Sequence, residues 1–375
     1  MENKIIVVDQ TIREGMQHKG IVFSYAQRQK ILEFQEKLDI DICQAGYAPA
    51  HETEAQYIGR LNQFANNNNF NIAVAGMGRA LLKDTQTLVK TGINNFHLHF
   101  QVRDKSQKEA IFSTIRDSID YIKKNVVDST ISVAMLDIGK TPDALLKEIV
   151  EYLSFDLCID IISLPDTSGI MAPNLIFDKV KKAVKIIDNS PAKISAHCHN
   201  DMGMANANAV MGVCAGAKAL EVSVMGIGER NGISDLFVTS QMLKNQDYSL
   251  KVKTEDIDTF KEYYNYINSI YETQTGQSLL NYNTPVFGDA VKTHVAGTHI
   301  LSSKASPFGM YDKEEYYINL LCGVHLIEKY LQHKNIPFSK NNLNKITQQI
   351  KSKSATLERR LHKKEIIKIA NLFQD

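Results

Sequence analysis

An α/β barrel followed by a smaller, mainly helical C-terminal region is what this sequence of 375 residues predicts. Eight short β-branched runs each lead into a longer helical pattern, and strand alternating with helix implies a parallel sheet. Eight such units in roughly 250 residues suit a closed (β/α)8 TIM barrel. An open doubly wound sheet is disfavoured because no G-x-G-x-x-G turn follows the first strand.

The candidate strands are Ile5–Val8, Ile40–Ala45, Ile72–Ala75, Phe96–Phe100, Ile131–Leu136, Ile159–Ser163, Lys193–His199 and Leu220–Met225. Amphipathic stretches between them include Tyr25–Leu38, Glu52–Ala65, Ser106–Lys124, Pro142–Tyr152 and Asn174–Ile187. The run Asn66–Asn69 reads as a loop. These units assign the catalytic barrel to residues 1–250. From 251 to 375 helical segments dominate, at Thr254–Glu272, Lys313–His333 and Asn341–Ser354, around a Pro/Gly-containing loop from Asn281 to Phe308. That loop is expected to reach over the barrel's active site.

Hydrophobic content of 43% and charged content of 23% are ordinary for a soluble globular chain. A formal net charge of +1 leaves no electrostatic footprint for nucleic acid or an anionic membrane surface. No apolar run approaches the roughly 20 residues that span a bilayer, and Ile5–Val8 is too brief for the core of a signal peptide. Cys43, Cys158, Cys198, Cys214 and Cys322 are scattered without C-x-x-C spacing. Neither a disulfide framework nor a Cys-rich zinc site is indicated. The expected compartment is the cytoplasm.

Barrel active sites lie at the carboxyl ends of the strands, so polar clusters there take precedence. The first is Asp9-Gln10-Thr11-Ile12-Arg13-Glu14-Gly15. It offers one carboxylate able to ligate a metal and one fixed cation, although a surface Arg–Glu pair would look the same. The second is Ser195-Ala196-His197-Cys198-His199-Asn200-Asp201. Side chains at i and i+2 share a strand face, so His197 and His199 point one way and Cys198 the other. Paired histidines followed by Asn-Asp are uncommon in a structural core. Glu14, His197 and His199 together would leave open positions on an ion, as a catalytic metal requires. Zinc, manganese or iron suit such mixed donors, and magnesium is less comfortable beside two imidazoles.

The third cluster, Met225-Gly226-Ile227-Gly228-Glu229-Arg230-Asn231-Gly232, sets Glu229 and Arg230 in a glycine-containing turn at the barrel mouth. The fourth, His294-Val295-Ala296-Gly297-Thr298-His299, places two histidines around a glycine within the loop of the second region. A lone histidine in a helical region is usually structural; this pairing suggests a segment that covers a site.

In this order and spacing the clusters resemble the DRE-TIM metallolyase superfamily, and within it the Claisen-condensing branch of homocitrate, 2-isopropylmalate and citramalate synthases. The matching pieces are DQTIREGMQ (Asp9–Gln17), SLPDTSG (Ser163–Gly169), HCHNDMG (His197–Gly203), GIGERNG (Gly226–Gly232) and HVAGTH (His294–His299). Glu14 and the run Gly228–Ile233 are most similar to homocitrate synthase. Isopropylmalate synthases usually carry aspartate at the first position and a metal-ligating asparagine where this chain has Ile233. Three stretches depart from the pattern. Gln44 replaces the second-strand glutamate, Leu136-Asp137 replaces a Glu-Asp pair, and His97–Arg103 does not resemble the usual fourth-strand sequence.

The resemblance implies an enzyme of amino-acid biosynthesis that condenses acetyl-CoA with a small 2-oxo acid and releases CoA, using a divalent ion such as zinc, manganese or magnesium. It implies metal ligation by Glu14, His197 and His199 and catalysis by Arg13 and His299, with Glu229 as partner and Tyr311 as a further candidate. Substrate contacts fall to Arg13, Gln17, Gln44, Thr167 and Asn200. It also implies a homodimer in which the second region of one subunit helps cover the other's barrel. Two alternatives remain: a lyase or aldolase of the same superfamily, HMG-CoA lyase among them, or a binding barrel that has lost catalysis. The GERNG turn and HVAGTH loop favour synthesis over cleavage. The intact Arg13, Glu14, His197, His199 and His299 argue against lost catalysis.

Overall fold

The computed structural model describes residues 4–102, 105–280, 318–320 and 322–374. Eight parallel strands form its centre: β1 Lys4–Asp9, β2 Ile42–Tyr47, β3 Ala73–Arg79, β4 Asn95–Phe100, β5 Thr130–Met135, β6 Ile161–Asp166, β7 Lys193–Cys198 and β8 Ala219–Val222. Each pairs with its neighbour in sequence, and β1 pairs with both β2 and β8, which closes the ring. The fold is the TIM barrel that the sequence predicts. A two-residue strand, β9 (Ser249–Leu250), adds to the start of β1.

The helices that wrap the ring are α1 Thr11–Gly15, α2 Tyr25–Lys37, α3 Glu52–Asn67, α4 Leu82–Val89, α5 Lys108–Asn125, α6 Asp143–Glu151, α7 Pro173–Ile186, α8 Ala205–Cys214 and α9 Leu236–Lys244. The sequence reading names no counterpart for α1, α4, α8 or α9. Helix α8 (ANANAVMGVC) is apolar nearly all round, so it lacks the amphipathic stripe by which a surface helix is recognised. It packs on β7 closely enough that a β-carbon at Gly212 would lie 2.7 Å from Ala196 Cβ.

Outward-facing Cys43, Val74, Leu98, Val133 and Ile162 are buried against these helices. Towards its carboxyl end the interior carries polar groups instead, with Gln44, His97, Ser163, Ser195, His197 and Glu221 all buried.

The chain forms two compact units, 1–279 and 280–375. Helix α10 (Ile257–Thr275), which the sequence assigns to the second region beginning at 251, belongs with the barrel unit. Its buried face of Phe260, Tyr263, Tyr264 and Ile267 explains why. Tyr263 donates to Asp9 Oδ2 at 2.9 Å, and its ring stacks on Phe34 at 5.2 Å.

The second unit contains α11 Val324–His333, α12 Leu343–Leu357 and α13 Lys363–Asn371. They share a core of Ile327, Leu331, Ile346, Ile350 and Ile366. The HVAGTH loop, with His294 and His299, and Tyr311 lie outside the described residues. Among the described residues no helix is long and apolar enough to cross a membrane.

Candidate active site and metal centre

The site begins where β1 stops. Asp9 Oδ1 accepts from the Thr11 backbone N–H at 2.7 Å and from its hydroxyl at 2.5 Å, turning the chain into α1. Thr11 Oγ1 in turn accepts from Val224 N at 2.9 Å, tying this turn to the one that follows β8. The two turns then touch: Glu229 N donates to Glu14 Oε1 at 3.2 Å. Glycine is required for that approach. A β-carbon at Gly228 would lie 2.8 Å from Glu14 Cγ, and one at Gly232, whose φ is 85°, would lie 1.9 Å from the Gly226 oxygen.

Donor atoms of Glu14, His199 and Glu229 all lie within 4.8 Å of one another. His197 joins them through His199, the two Nε2 atoms standing 3.1 Å apart. Two nitrogens bound side by side at about 2.1 Å from one ion would be separated by about 3 Å, so the spacing suits a shared cation. Otherwise one proton must lie between them. His197 Nδ1 donates to Glu221 Oε2 at 2.9 Å, which turns the Nε2 lone pair towards the cluster. His199 Nδ1 is buried and finds no hydrogen-bond partner among the described residues.

The electrostatics fit the same occupant. Burial pushes His199 down to about 3 and both His97 and His99 to about 4, so these rings are neutral at neutral pH. Neutral imidazole is the form that binds metal. Burial opposes the charge on Glu14, but Arg13 and the two imidazoles outweigh it and hold the carboxyl below its ordinary range. Glu221 is likewise held low, its burial outweighed by the bond from His197 and the nearby His97.

A cavity of 590 Å3 opens above these groups, and Arg13, Glu14, Gln17, Thr167, His197, His199 and Glu229 all line it. Arg13 is held on three sides, by Gln44 Oε1 at 2.5 Å and by Gln17 and Gln10 oxygens at 2.9 Å, and it pairs with Glu14. Thr167 Oγ1 accepts from Asp137 N at 2.9 Å, so its own proton is free to point at a ligand.

Two expected substrate contacts stand elsewhere. Gln44 sits beneath Arg13 and is not part of the cavity wall, while Asn200 Oδ1 accepts from Ala205 N at 3.2 Å, at the first residue of α8. Sequence reasoning missed Glu221, which is 2% exposed and also bonded to Gln10 and Ser195. A lone acid inside the apolar run of β8 is the signal that could have found it.

A parallel barrel with a carboxylate–imidazole cluster at the carboxyl ends of its strands defines the class. The chain belongs to the HMGL-like family, which matches residues 4–263. A probable 2-isopropylmalate synthase of Methanosarcina acetivorans is 29% identical over 94% of this chain and 68% of its own length. The 2-isopropylmalate synthase of Sulfolobus acidocaldarius is 26% identical over 93% and 90%. The homocitrate synthase of Pyrococcus abyssi is 28% identical over 87% and 90%. Relatives named for the two reactions are thus about equally similar, and the lean towards homocitrate synthase is not sharpened by them. Among solved structures, an HMG-CoA lyase from Brucella melitensis superimposes with a TM-score of 0.61 at 14% identity, covering 72% of this chain and all of its own. That likeness speaks for the fold alone.

Proposed function

We propose that this protein is a metal-dependent acyltransferase that condenses acetyl-CoA with a small 2-oxo acid and releases CoA. The observation that carries the reading is the convergence of Glu14, His199 and Glu229 within 4.8 Å, with His197 Nε2 3.1 Å from His199. Synthases at 26–29% identity over nearly the whole chain support the reaction type.

Glu14, His197 and His199 would hold the ion, which supplies Lewis acidity towards the keto group of the oxo acid. Arg13, fixed by three glutamines, offers a preorganised cation where negative charge develops on oxygen. The Thr167 hydroxyl donates to the substrate carboxylate. The acetyl methyl group loses a proton, its carbon bonds to the keto carbon, and the keto oxygen gains a proton. Water then cleaves the thioester, releasing a carboxylate and the CoA thiol. In this reading His299 moves the protons, a role that suits a histidine near neutral pH, and Glu229 serves either as its partner or, from its place in the cluster, as a further ligand. A homodimer in the cytoplasm belongs to the same reading.

The test is to incubate the protein with acetyl-CoA and a panel of 2-oxo acids and to follow free thiol, with and without a chelator. Thiol release that needs both the oxo acid and the divalent ion is expected, and His197→Ala should abolish it while the protein stays folded. Full activity of His197→Ala in metal-free buffer would refute the mechanism. Cleavage of a hydroxyacyl-CoA without any condensation would favour the lyase reading instead.

A further inference from the structure

A second cavity, of 330 Å3, adjoins the first, and the two share His99 and Leu136 in their walls. His99 is the penultimate residue of β4, and Leu136 follows β5, where its N–H bonds to the Phe100 oxygen at 3.0 Å. These two residues therefore mark the boundary between the cavities, with the candidate metal centre on one side. On the other side the wall is largely apolar, built by Leu81, Phe100, Ile111 and Ile115. Leu81 is 39% exposed, a large apolar residue left uncovered at this cavity.

Two polar side chains of that wall, Arg79 and Thr114, are already engaged. Arg79 gives Nε to Asp84 Oδ2 at 2.7 Å and Nη2 to Oδ1 at 3.0 Å, so its charge is matched by a carboxylate. The Thr114 hydroxyl donates back to Ala110 O at 2.9 Å within its own helix. A second carboxylate on a ligand would find no unmatched cation here among the described residues, whereas an alkyl or aryl group would find apolar surface. His99 and Leu136 also fall within the two sequence stretches that depart from the family pattern.

We infer that the two cavities form one substrate site, and that the preferred substrate is a monocarboxylic 2-oxo acid whose extended apolar tail passes between His99 and Leu136 into the second chamber. The inference rests on the synthase reading above and narrows it, placing the reactive end at the candidate metal centre and the tail beyond that boundary.

The experiment follows straight-chain 2-oxo acids from pyruvate to 2-oxooctanoate by calorimetric titration of the manganese-supplemented protein, with thiol release from acetyl-CoA measured in parallel. Each methylene beyond 2-oxobutyrate should tighten binding about fourfold, the transfer value for a buried CH2. Ile111→Phe, which fills the chamber from α5, should remove that gain for the longest acids and leave pyruvate unaffected. Leu81→Phe at the exposed lip is the second variant, for use if the first fails to fold.

Affinity that stays flat with chain length while thiol is released would overturn the chamber and keep the synthase. So would a preference for 2-oxoglutarate over 2-oxohexanoate. If Ile111→Phe raises KM for acetyl-CoA alone, the chamber belongs to the pantetheine arm and the inference fails. A chain-length gain with no thiol release would support the chamber and remove the synthase reading. No binding of any oxo acid would remove both.

Discussion

Arg13 donates to Gln44 Oε1 at 2.5 Å, while the Nε2 of the same amide is buried and finds no partner among the described residues. Flipping the amide would only turn a donor towards a guanidinium that can accept nothing. The amide therefore leaves a buried donor without an acceptor in either orientation, whereas a carboxylate brings no donor to this position. A buried donor left unpaired costs about 1–3 kcal/mol. Gln44→Glu should thus raise the thermal unfolding midpoint by about 2–4 °C, the shift expected for about 1 kcal/mol in a domain of this order of size. It should also raise KM for the oxo acid, because a second carboxylate would share the charge of Arg13. Unfolding curves and initial rates measure the two effects separately, and a lowered midpoint would show that the orphan N–H carries no penalty.

Glu221 gives a different kind of prediction, since it lies at the floor of the cavity and holds His197. Its Oε2 accepts from His197 Nδ1 at 2.9 Å and from Gln10 at 2.6 Å, fixing both the ring's tautomer and its direction. Outer partners of this sort typically account for 10–100-fold in metal affinity. Glu221→Gln should weaken manganese binding by about that factor, measured by titration, while excess metal restores most of the turnover. Unchanged metal affinity would reduce Glu221 to a core polar residue.

These two residues show where sequence reading succeeds and where it stops. Short apolar runs, most of them containing β-branched residues, and the alternation of strand with helix were enough for all eight barrel strands. The i, i+2 rule put His197 and His199 on one face, and the structure sets their Nε2 atoms 3.1 Å apart. Glu221 and the neutral state of His99 depend on which strands are neighbours in space, which no local pattern encodes. The same holds for α10: its helical period was legible, but the bond from Tyr263 to Asp9, 254 positions away, was not. Asn200 shows the reverse error. A polar residue beside two histidines looked like a ligand contact, but it does not line the cavity and its Oδ1 accepts from Ala205 N at the start of α8.

Asp235 should make stability depend on pH. It caps α9 by accepting from Val238 N at 2.8 Å, and it accepts from Tyr264 at 3.1 Å. Burial outweighs these bonds and pushes its carboxyl up to about 7, from 3.8 for the free side chain. Between about pH 4 and pH 7 the folded chain therefore holds a proton that the unfolded chain has lost. The contribution is fully present below about pH 4 and is lost as pH rises through 7. Asp235→Asn cannot titrate, so the stability of the wild type relative to this variant should fall across that interval. Urea unfolding of both proteins at pH 4.5, 6 and 7.5 supplies the comparison. A difference that stays flat across these pH values would mean that Asp235 is ionised in the fold throughout.

Glu229 can be assigned by asking whether metal or proton is lost with it. The resemblance makes it a partner of His299 in acid–base work. Its carboxylate nevertheless shares a 4.8 Å cluster with Glu14 and His199, and its N–H bonds to Glu14. It also pairs with Arg230 at 3.1 Å, but its side chain is 44% exposed, so that pair contributes little and leaves the carboxylate able to turn towards an ion. Position 233, where the resemblance would set a metal-ligating asparagine, is here a buried isoleucine, and Glu229 is the oxygen donor nearest in sequence to it in the cluster. On the ligand assignment, Glu229→Gln weakens manganese binding about tenfold or more, and saturating metal recovers thiol release. On the acid–base assignment, metal binding is unchanged and turnover at saturating metal falls by about 100-fold. The geometry favours the first outcome. Titration of the variant with manganese, followed by rates at two metal concentrations, separates them in one preparation.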